Sequence, residues 1–368
     1  MKKICIDARM LHSAGIGTYL KEIISNLKSS PFKIFLIVTK DLLEKEKDFL
    51  NGFEIIILNS RIYSIKEQIF LPFKIPKCDI FFSPHFNIPI FKIKAEKRLV
   101  TIHDAFHLAF FSKLSFFEKI YAKFIINLAI KKSDKIITVS KFSKDEIIKY
   151  TNADPNKIFV IYNAVNTKIF SRTDDQERIL EVINKYNLTN SYFLFVGNLK
   201  PHKNLMNLLK AFDVFIRDYP DIDLAIVGKN KNLINSFDVQ KVLKNNKKLQ
   251  SRIKLIDFAA NEDLPVIYQQ ALALVFPSFY EGFGYPPLEA MAVNCPVIAS
   301  NIASIKEICD DSVYYIDPYD YMSISGAMKK ILNNKILKND LIKKGSERIK
   351  LYTLKNFIKK HFELFESL

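Results

Sequence analysis

The chain has no tryptophan, only nine glycines and only four cysteines in 368 residues. Cys5, Cys78, Cys295 and Cys309 stand far apart, with neither metal-ligand spacing nor a disulfide framework. That excludes a cysteine-built zinc site and a disulfide-stapled secreted scaffold, and it suits a reducing cytoplasm. Nowhere do about 18 apolar residues follow one another, the length a helix needs to span a bilayer. The start, MKKICIDARML, opens like a secretion signal, but Asp7 and Arg9 break its apolar stretch within a few residues. Arginine is scarce as well, with 8 among 55 basic residues.

What the chain does have is a globular composition, 49% hydrophobic and 26% charged, and a length for which two domains are the default. The net charge of +16 is uneven. Residues 1–170 carry 28 basic and 16 acidic groups, whereas 171–368 carry 27 and 23. A basic first half suits a membrane surface or an anionic acceptor. The abundance of Lys, Asn, Ile and Phe fits an AT-rich coding bias equally well.

Short β-rich apolar runs alternate with longer helical patterns throughout. The first half reads KKICIDA, KIFLIVT, FEIIILN, DIFFSP, RLVTIHD, KIITVS and KIFVIYN as strands. The second reads YFLFVGN, DLAIVGK, IKLIDF, LALVFPS, PVIAS and VYYID. Continuous apolar strands separated by helices mean parallel sheets covered on both faces. The expectation is an α/β chain of two Rossmann-like, doubly wound domains facing across a cleft, with a polar joint within 162–190. Residues 1–170 form the first domain and 171–353 the second, while a last helix, 354–368, crosses back onto the first.

The most informative stretch is 276–300, FPSFYEGFGYPPLEAMAVNCPVIAS. It reads as strand, glycine loop, helix and strand, with Glu281 and Glu289 bracketing the loop. Loops leaving the C-terminal ends of parallel strands are where open α/β sheets bind ligands. Glycine lets the backbone approach an anion, and the helix after the loop turns its positive dipole end toward it. Gly15 and Gly17 open a helix after the first strand, which permits close approach of a phosphate or marks a tight turn without a ligand. Gly197, Asn198, Lys203 and Asn204 occupy the matching place after the first strand of the second half. A lysine at a helix start is unfavourable against the dipole, so Lys203 calls for a compensating anion or exposure to solvent. His103 and Asp104 end the strand RLVTIHD. They are either cleft residues or a histidine bonded beneath a loop with Asp104 capping the next turn. His85 has less to support it, and His107 lies near enough to the same strand end to touch an acceptor. The helix read over 110–132 places Leu114, Phe117, Tyr121, Phe124, Ile125 and Leu128 on one stripe with lysines at its edges, a face for the core or for an anionic membrane.

Taken together, DAR followed by GIGTYL, TIHD, VSKFSKDEI, VIYNAVN, GNLKPHKNL, DLPVIY and EGFGYPPLEAMA resemble the family 4 glycosyltransferases, retaining enzymes of the GT-B fold. The phrases cover nearly the whole chain, and the glutamates have the family's E-x7-E spacing. The resemblance implies that Glu281 contacts the donor sugar hydroxyls at the reacting end and that Glu289 holds the ribose. Phe283 and Gly284 then present backbone N–H groups to sugar and phosphate, and Lys203 binds the diphosphate. Gly15 and Gly17 meet phosphate or acceptor, and His103 lies over the donor sugar. His202 stands where arginine is frequent, Asn198 where some members place a second cation, NAVN replaces NGVD, and Asp257 replaces a glycine before the base-contacting loop. These departures leave the nucleotide open.

The activity so implied is retaining transfer of a hexose from a nucleoside-diphosphate sugar, GDP-mannose first and a UDP-sugar next, to a glycan or lipid-linked hydroxyl in cell-surface polysaccharide assembly. The subfamily flavour is that of mannosyltransferases in polysaccharide and O-antigen assembly. The expected setting is cytoplasmic, with peripheral contact to an anionic membrane at its inner face, without nucleic acid, metal or other cofactor. A non-hydrolysing sugar-nucleotide epimerase and an inactive sugar-nucleotide-binding partner share the architecture and are the alternatives.

Overall fold

The computed structural model of the chain describes residues 1–109, 116–189, 191–228, 237–244 and 246–368. They form two compact units, Met1–Asn163 with Leu354–Leu368, and Ala164–Thr353. The break precedes the boundary read from the sequence. Val165 donates its N–H to the Tyr352 carbonyl and bridges Thr353, and Phe170 meets Tyr268 with ring centroids 6.2 Å apart. These contacts hold 164–170 to the second unit.

The first unit is built on a parallel sheet of β1 (Lys3–Asp7), β2 (Lys33–Val38), β3 (Glu54–Ile57), β4 (Cys78–Ser83), β5 (Ala95–Thr101), β6 (Lys135–Thr138) and β7 (Ile158–Val160). Their spatial order is β3-β2-β1-β4-β5-β6-β7. The second unit carries β8 (Tyr192–Val196), β9 (Asp223–Val227), β10 (Ile253–Ile256), β11 (Leu274–Phe276), β12 (Val297–Ser300) and β13 (Tyr314–Ile316), in the order β10-β9-β8-β11-β12-β13. Each of the thirteen strand-like runs in the sequence is a strand. In each sheet the chain starts in the interior, winds outward on one side, then returns to wind outward on the other. The reversals, between β1 and β4 and between β8 and β11, are topological switch points, where the loops at the strand C-termini leave a crevice.

Both faces of each sheet are covered. In the second unit Phe193, Phe195, Leu208, Phe212, Phe215 and Met328 are fully enclosed in one core. The described part of the helix Phe116–Lys132 buries Ile125, Ile126, Ala129 and Ile130 against Val100, Ile102 and Ile136. Its inward face is therefore rotated from the stripe expected in the sequence, since Phe124 is 54% exposed. Residues 110–115 and the side chains of 116–122, with Leu114, Phe117 and Tyr121 among them, lie outside the described residues. No helix among the described residues is long and apolar enough to cross a membrane.

The C-terminal helix Leu354–Glu366 belongs to the first unit. Its His361 is fully buried, with Nδ1 2.8 Å from the Phe357 carbonyl and Nε2 2.8 Å from the Tyr19 hydroxyl. A carbonyl only accepts, so Nδ1 carries the proton and Nε2 accepts from Tyr19, whose hydroxyl in turn lies 2.9 Å from Thr101 Oγ1. Burial, opposed by the bond to Phe357, pushes the imidazole down to about 4. The unfolded chain protonates this histidine near its ordinary value of about 6.5, which the folded chain resists. Stability should therefore fall as pH drops from about 6.5 to about 4, by about 3 kcal/mol in all. Urea midpoints for the wild type and His361→Gln, measured at pH 7.5 and pH 5, check this: the wild type should lose more across the interval.

Candidate functional site

The loop leaving β8 begins at Gly197 and ends in a single 3-10 turn, Pro201–Lys203, followed by Asn204 in the left-handed region with φ of 62°. Asparagine is among the few residues that take this conformation readily. The left-handed residue breaks the turn from the helix Leu205–Asp218, so Lys203 sits before that helix and not in its first turn. The Asn204 side chain is buried, and its Nδ2 donates to the carbonyls of Pro277 at 2.9 Å and Pro318 at 2.7 Å. Phe279 donates its N–H to the His202 carbonyl at 2.8 Å. The loops after β8, β11 and β13 are thus tied together at the switch point.

That latch sets Lys203 Nζ 2.6 Å from Glu281 Oε1 and 5.4 Å from the centre of the Phe276 ring. The two charged side chains are 12% and 11% exposed, so water screens the pair only weakly. The anion that Lys203 calls for is therefore supplied by the chain itself. Among the described residues the other oxygen of Glu281 carries no hydrogen bond. At the same strand ends, Asn198 Oδ1 and Ser278 Oγ are buried with no hydrogen-bond partner among the described residues. Buried polar atoms are nearly always paired, and one left alone costs about 1–3 kcal/mol. Orphans on both sides of the switch point suit a ligand that supplies their partners.

Beyond Glu281 the backbone turns through Gly284, at φ 113°, into the helix Tyr285–Ala292. Only glycine takes that conformation without strain, and a Cβ there would also lie 2.9 Å from Ile305 Cδ1. Pro286 and Pro287 fill the first turn and have no N–H to offer. Among the described residues, the N–H groups of Phe283 and Gly284 enter no turn or cap hydrogen bond. They are the donors this helix start offers to an anion.

Glu289, on the same helix, accepts through Oε2 from the Tyr268 hydroxyl at 2.8 Å. Burial pushes its carboxyl up to about 7, opposed by that hydrogen bond. Tyr268 is placed by the helix Leu264–Gln270, preceded by Asp263, whose buried carboxylate takes Lys185 Nζ and the Tyr186 hydroxyl, each at 2.7 Å, together with Arg178. Asn204 and Tyr268 had no assigned role in the sequence reading. The only signal for either was its place in the phrases GNLKPHKNL and DLPVIY.

The first unit holds the other candidates. His103 follows β5 and donates from Nε2 to the Pro84 carbonyl at 2.9 Å, with its ring edge-on to Tyr19 at 4.9 Å. Burial lowers its pKa, so the ring is neutral and keeps its Nδ1 lone pair as an acceptor. Asp104 Oδ1 accepts the Phe106 N–H, the capping role weighed for it. Gly15 and Gly17 lie within the first turns of the helix Ala14–Leu27. A Cβ on Gly17 would stand 2.4 Å from the Leu11 carbonyl oxygen, so backbone packing by itself requires that glycine. At the end of β1, Arg9 Nη2 reaches Asp7 Oδ2 and Glu67 Oε1, both at 2.5 Å, beside a small cavity lined by Ser83, His85 and Asn87.

The structure thus brings Lys203 and Glu281 into contact and sets Asn198, Phe283, Gly284 and Glu289 in the same unit; His103, Gly15 and Gly17 belong to the other. Two family models match in succession: Glycosyltransferase Family 4 over residues 13–169 and Glycosyl transferases group 1 over 176–348. The chain is similar to the O-antigen chain mannosyltransferase RfbU of Salmonella typhimurium, 33% identical over 247 residues, which is 67% of this chain and 63% of that protein. It is also similar to the O-antigen chain mannosyltransferase B of Escherichia coli, 28% identical over 75% of this chain and 71% of that one. Among solved structures, Anabaena HepE in complex with UDP and glucose superposes with a TM-score of 0.82 at 15% identity, each chain covered completely. WaaG, a glycosyltransferase involved in lipopolysaccharide biosynthesis, gives 0.75 at 12% identity, with 99% of each chain covered. These likenesses show the GT-B fold. With both models matched in order and the E-x7-E pair in place, the chain belongs to the family 4 glycosyltransferases.

Proposed function

We propose that the protein transfers a hexose from a nucleoside-diphosphate sugar, with retention, to a hydroxyl of a glycan or lipid-linked acceptor in cell-surface polysaccharide assembly. GDP-mannose is the favoured donor and a UDP-sugar the next. The names of the relatives, O-antigen chain mannosyltransferases, support the sugar and the setting. The observation that carries the reading is the Lys203–Glu281 pair at the switch point of the second sheet.

As the glycosidic bond breaks, negative charge grows on the departing diphosphate. Lys203 has three N–H donors and gives one to Glu281, leaving others for phosphate oxygens. The Phe283 and Gly284 N–H groups and the positive end of their helix add to it. This is enough positive charge for a leaving group that needs no metal, and in this reading a chelator leaves the rate unchanged. Glu281 holds sugar hydroxyls with its uncommitted oxygen and stabilises positive charge at the ring. Glu289 takes the ribose hydroxyls. His103 offers a neutral acceptor for a hydroxyl. The acceptor hydroxyl attacks on the face the diphosphate leaves, and a phosphate oxygen takes its proton. The protein works at the inner face of the membrane.

A thermal-shift panel of GDP-, UDP- and ADP-sugars tests the donor, because a ligand raises Tm by mass action. GDP-mannose should give the largest shift, and no shift with any member would overturn the reading. Incubation of the donor alone should yield no new sugar nucleotide, whereas an epimerase would make one.

Lys203→Ala should lower nucleoside-diphosphate affinity about 30-fold, the worth of a charge-assisted bond of about 2 kcal/mol. It should also cost about 2 kcal/mol of stability by leaving Glu281 uncompensated. Lys203→Met with Glu281→Gln should restore the stability and not the affinity. Calorimetric titration and urea unfolding separate the two effects, and unchanged affinity in Lys203→Ala would remove Lys203 from the diphosphate site.

Because Glu289 titrates near pH 7 in the free protein, nucleoside-diphosphate affinity should rise between about pH 6 and pH 8 as its carboxylate ionises to accept hydroxyl protons. In Glu289→Gln the slope should shrink to that of the ligand's own phosphates.

A further inference from the structure

One helix of the first unit has its faces reversed. Ile65–Lys74, between β3 and β4, turns Glu67, Gln68 and Leu71 inward and Ile65, Ile69, Phe70 and Phe73 outward. The outward four are 82%, 44%, 51% and 76% exposed. Packing on the inward side explains the rotation. Glu67 takes Arg9 Nη2 on one oxygen and the Tyr63 N–H and Asn87 Nδ2, each at 2.7 Å, on the other. Gln68 Oε1 accepts the Ile90 N–H at 2.9 Å, and Leu71 joins the core with Cys5, Ile75 and Phe81. A helix so anchored cannot roll its phenylalanines under without pulling a buried ion pair apart.

The bond from Ile90 also brings the strap before β5 alongside, where Phe91 is 58% exposed. Around these five apolar side chains the segment 61–94 carries Arg61, Lys66, Lys74, Lys77, Lys92 and Lys94. Of its two acidic residues, Glu67 is buried against Arg9, and Asp79 is half-buried and accepts the Lys3 N–H at 2.6 Å. An apolar face on a segment whose exposed charges are basic fits a surface that is apolar beneath and negative at its boundary. Lysine stems reach outward along such a boundary while the rings sink below it.

We propose that the outward face of the helix Ile65–Lys74, with Phe91, docks the first unit on an anionic lipid bilayer. The inference deepens the proposed action on a lipid-linked acceptor and rests on that reading for its purpose. The start of the docked helix is bonded to Asn87, and Pro84 in the same loop holds His103. Docking therefore sets the lipid boundary next to the strand ends of the first unit, where a sugar on a lipid anchor enters.

Co-sedimentation of the full chain with vesicles tests the surface. The wild type should bind vesicles of phosphatidylglycerol and phosphatidylcholine more tightly than phosphatidylcholine alone. Phe70→Ser with Phe73→Ser should weaken binding to both by about tenfold or more. Lys66→Glu with Lys74→Glu should weaken binding to the anionic vesicles alone, by about fivefold for each charge removed. Both variants should keep the wild-type Tm and nucleoside-diphosphate affinity, since the substituted residues are exposed and the donor loops belong to the other unit. Unchanged partition in the phenylalanine variant would overturn the proposal. So would wild-type dimerisation that the same variant abolishes, with no vesicle binding, because the face would then serve a second copy of the chain. Vesicle partition is read without any sugar transfer, so loss of this inference leaves the donor reading standing, and the reverse holds too.

Discussion

The second unit is organised around one ion pair, Lys203 with Glu281, held across two loops that are far apart in sequence and adjacent at the sheet's switch point. Two charges this little exposed are costly to bring out of water, and each makes the other tolerable. The cost falls on the loops, which must hold both ends to within hydrogen-bond distance. That is the work of Asn204, whose amide ties the Pro277 and Pro318 carbonyls, and of the Phe279 N–H on the His202 carbonyl. A solvated lysine would have to be ordered when a diphosphate arrives. This one is ordered beforehand, so in the proposed reading less of the binding energy is spent on immobilising it.

The first unit uses the same device to a different end. Its buried charges, Arg9 with Asp7 and Glu67, also lie at the end of the strand beside the switch point. Here every charge is engaged by the protein itself: Arg9 by both carboxylates and the Ser60 carbonyl, Glu67 by Arg9, Tyr63 and Asn87. Such a closed network has little to offer a phosphate. It fixes how a helix is rolled, and so decides which side chains meet the outside. A buried pair with an uncommitted oxygen suits binding, whereas a saturated one sets geometry.

Most of the architecture was legible in the sequence because parallel strands covered on both faces must be apolar along their whole length. Runs such as KIFLIV and YFLFV admit few other readings. The loop and helix starts that carry the glutamate pair and Lys203 were legible from their phrases. What escaped depends on partners distant in the chain. Nothing local to Asn204 announces that its amide will bridge the ends of β11 and β13. The break at Asn163 follows from Val165 pairing with Thr353, nearly the length of a domain away. Helix faces escaped for a related reason. Apolar periodicity left the stripe through Phe124 open between core and membrane, and burial divided it, with Ile125 enclosed and Phe124 exposed, while Glu67 is buried despite its charge. Periodicity ranks residues by hydrophobicity and has no knowledge of an arginine waiting in the core.

The two glutamates of the E-x7-E pair share a division of labour at the level of single oxygens. Glu281 commits Oε1 to Lys203, and Glu289 commits Oε2 to the Tyr268 hydroxyl. Among the described residues the remaining oxygen of each takes no hydrogen bond. One oxygen therefore fixes the orientation of the carboxyl group while the other is left as an acceptor, the form that the proposed contacts to sugar and ribose hydroxyls require. The donors differ in charge. A lysine ammonium balances the whole carboxylate, whereas a tyrosine hydroxyl offers one neutral bond and leaves burial to push Glu289 up to about 7. Under the proposed function, the glutamate assigned to the reacting sugar thus has its charge compensated by the lysine assigned to the leaving group. The glutamate proposed for the ribose has no such cation, and in that reading the ligand's own hydroxyl protons compensate its charge. In the proposed reading, transition-state charge and ground-state recognition are separated by a single difference of partner.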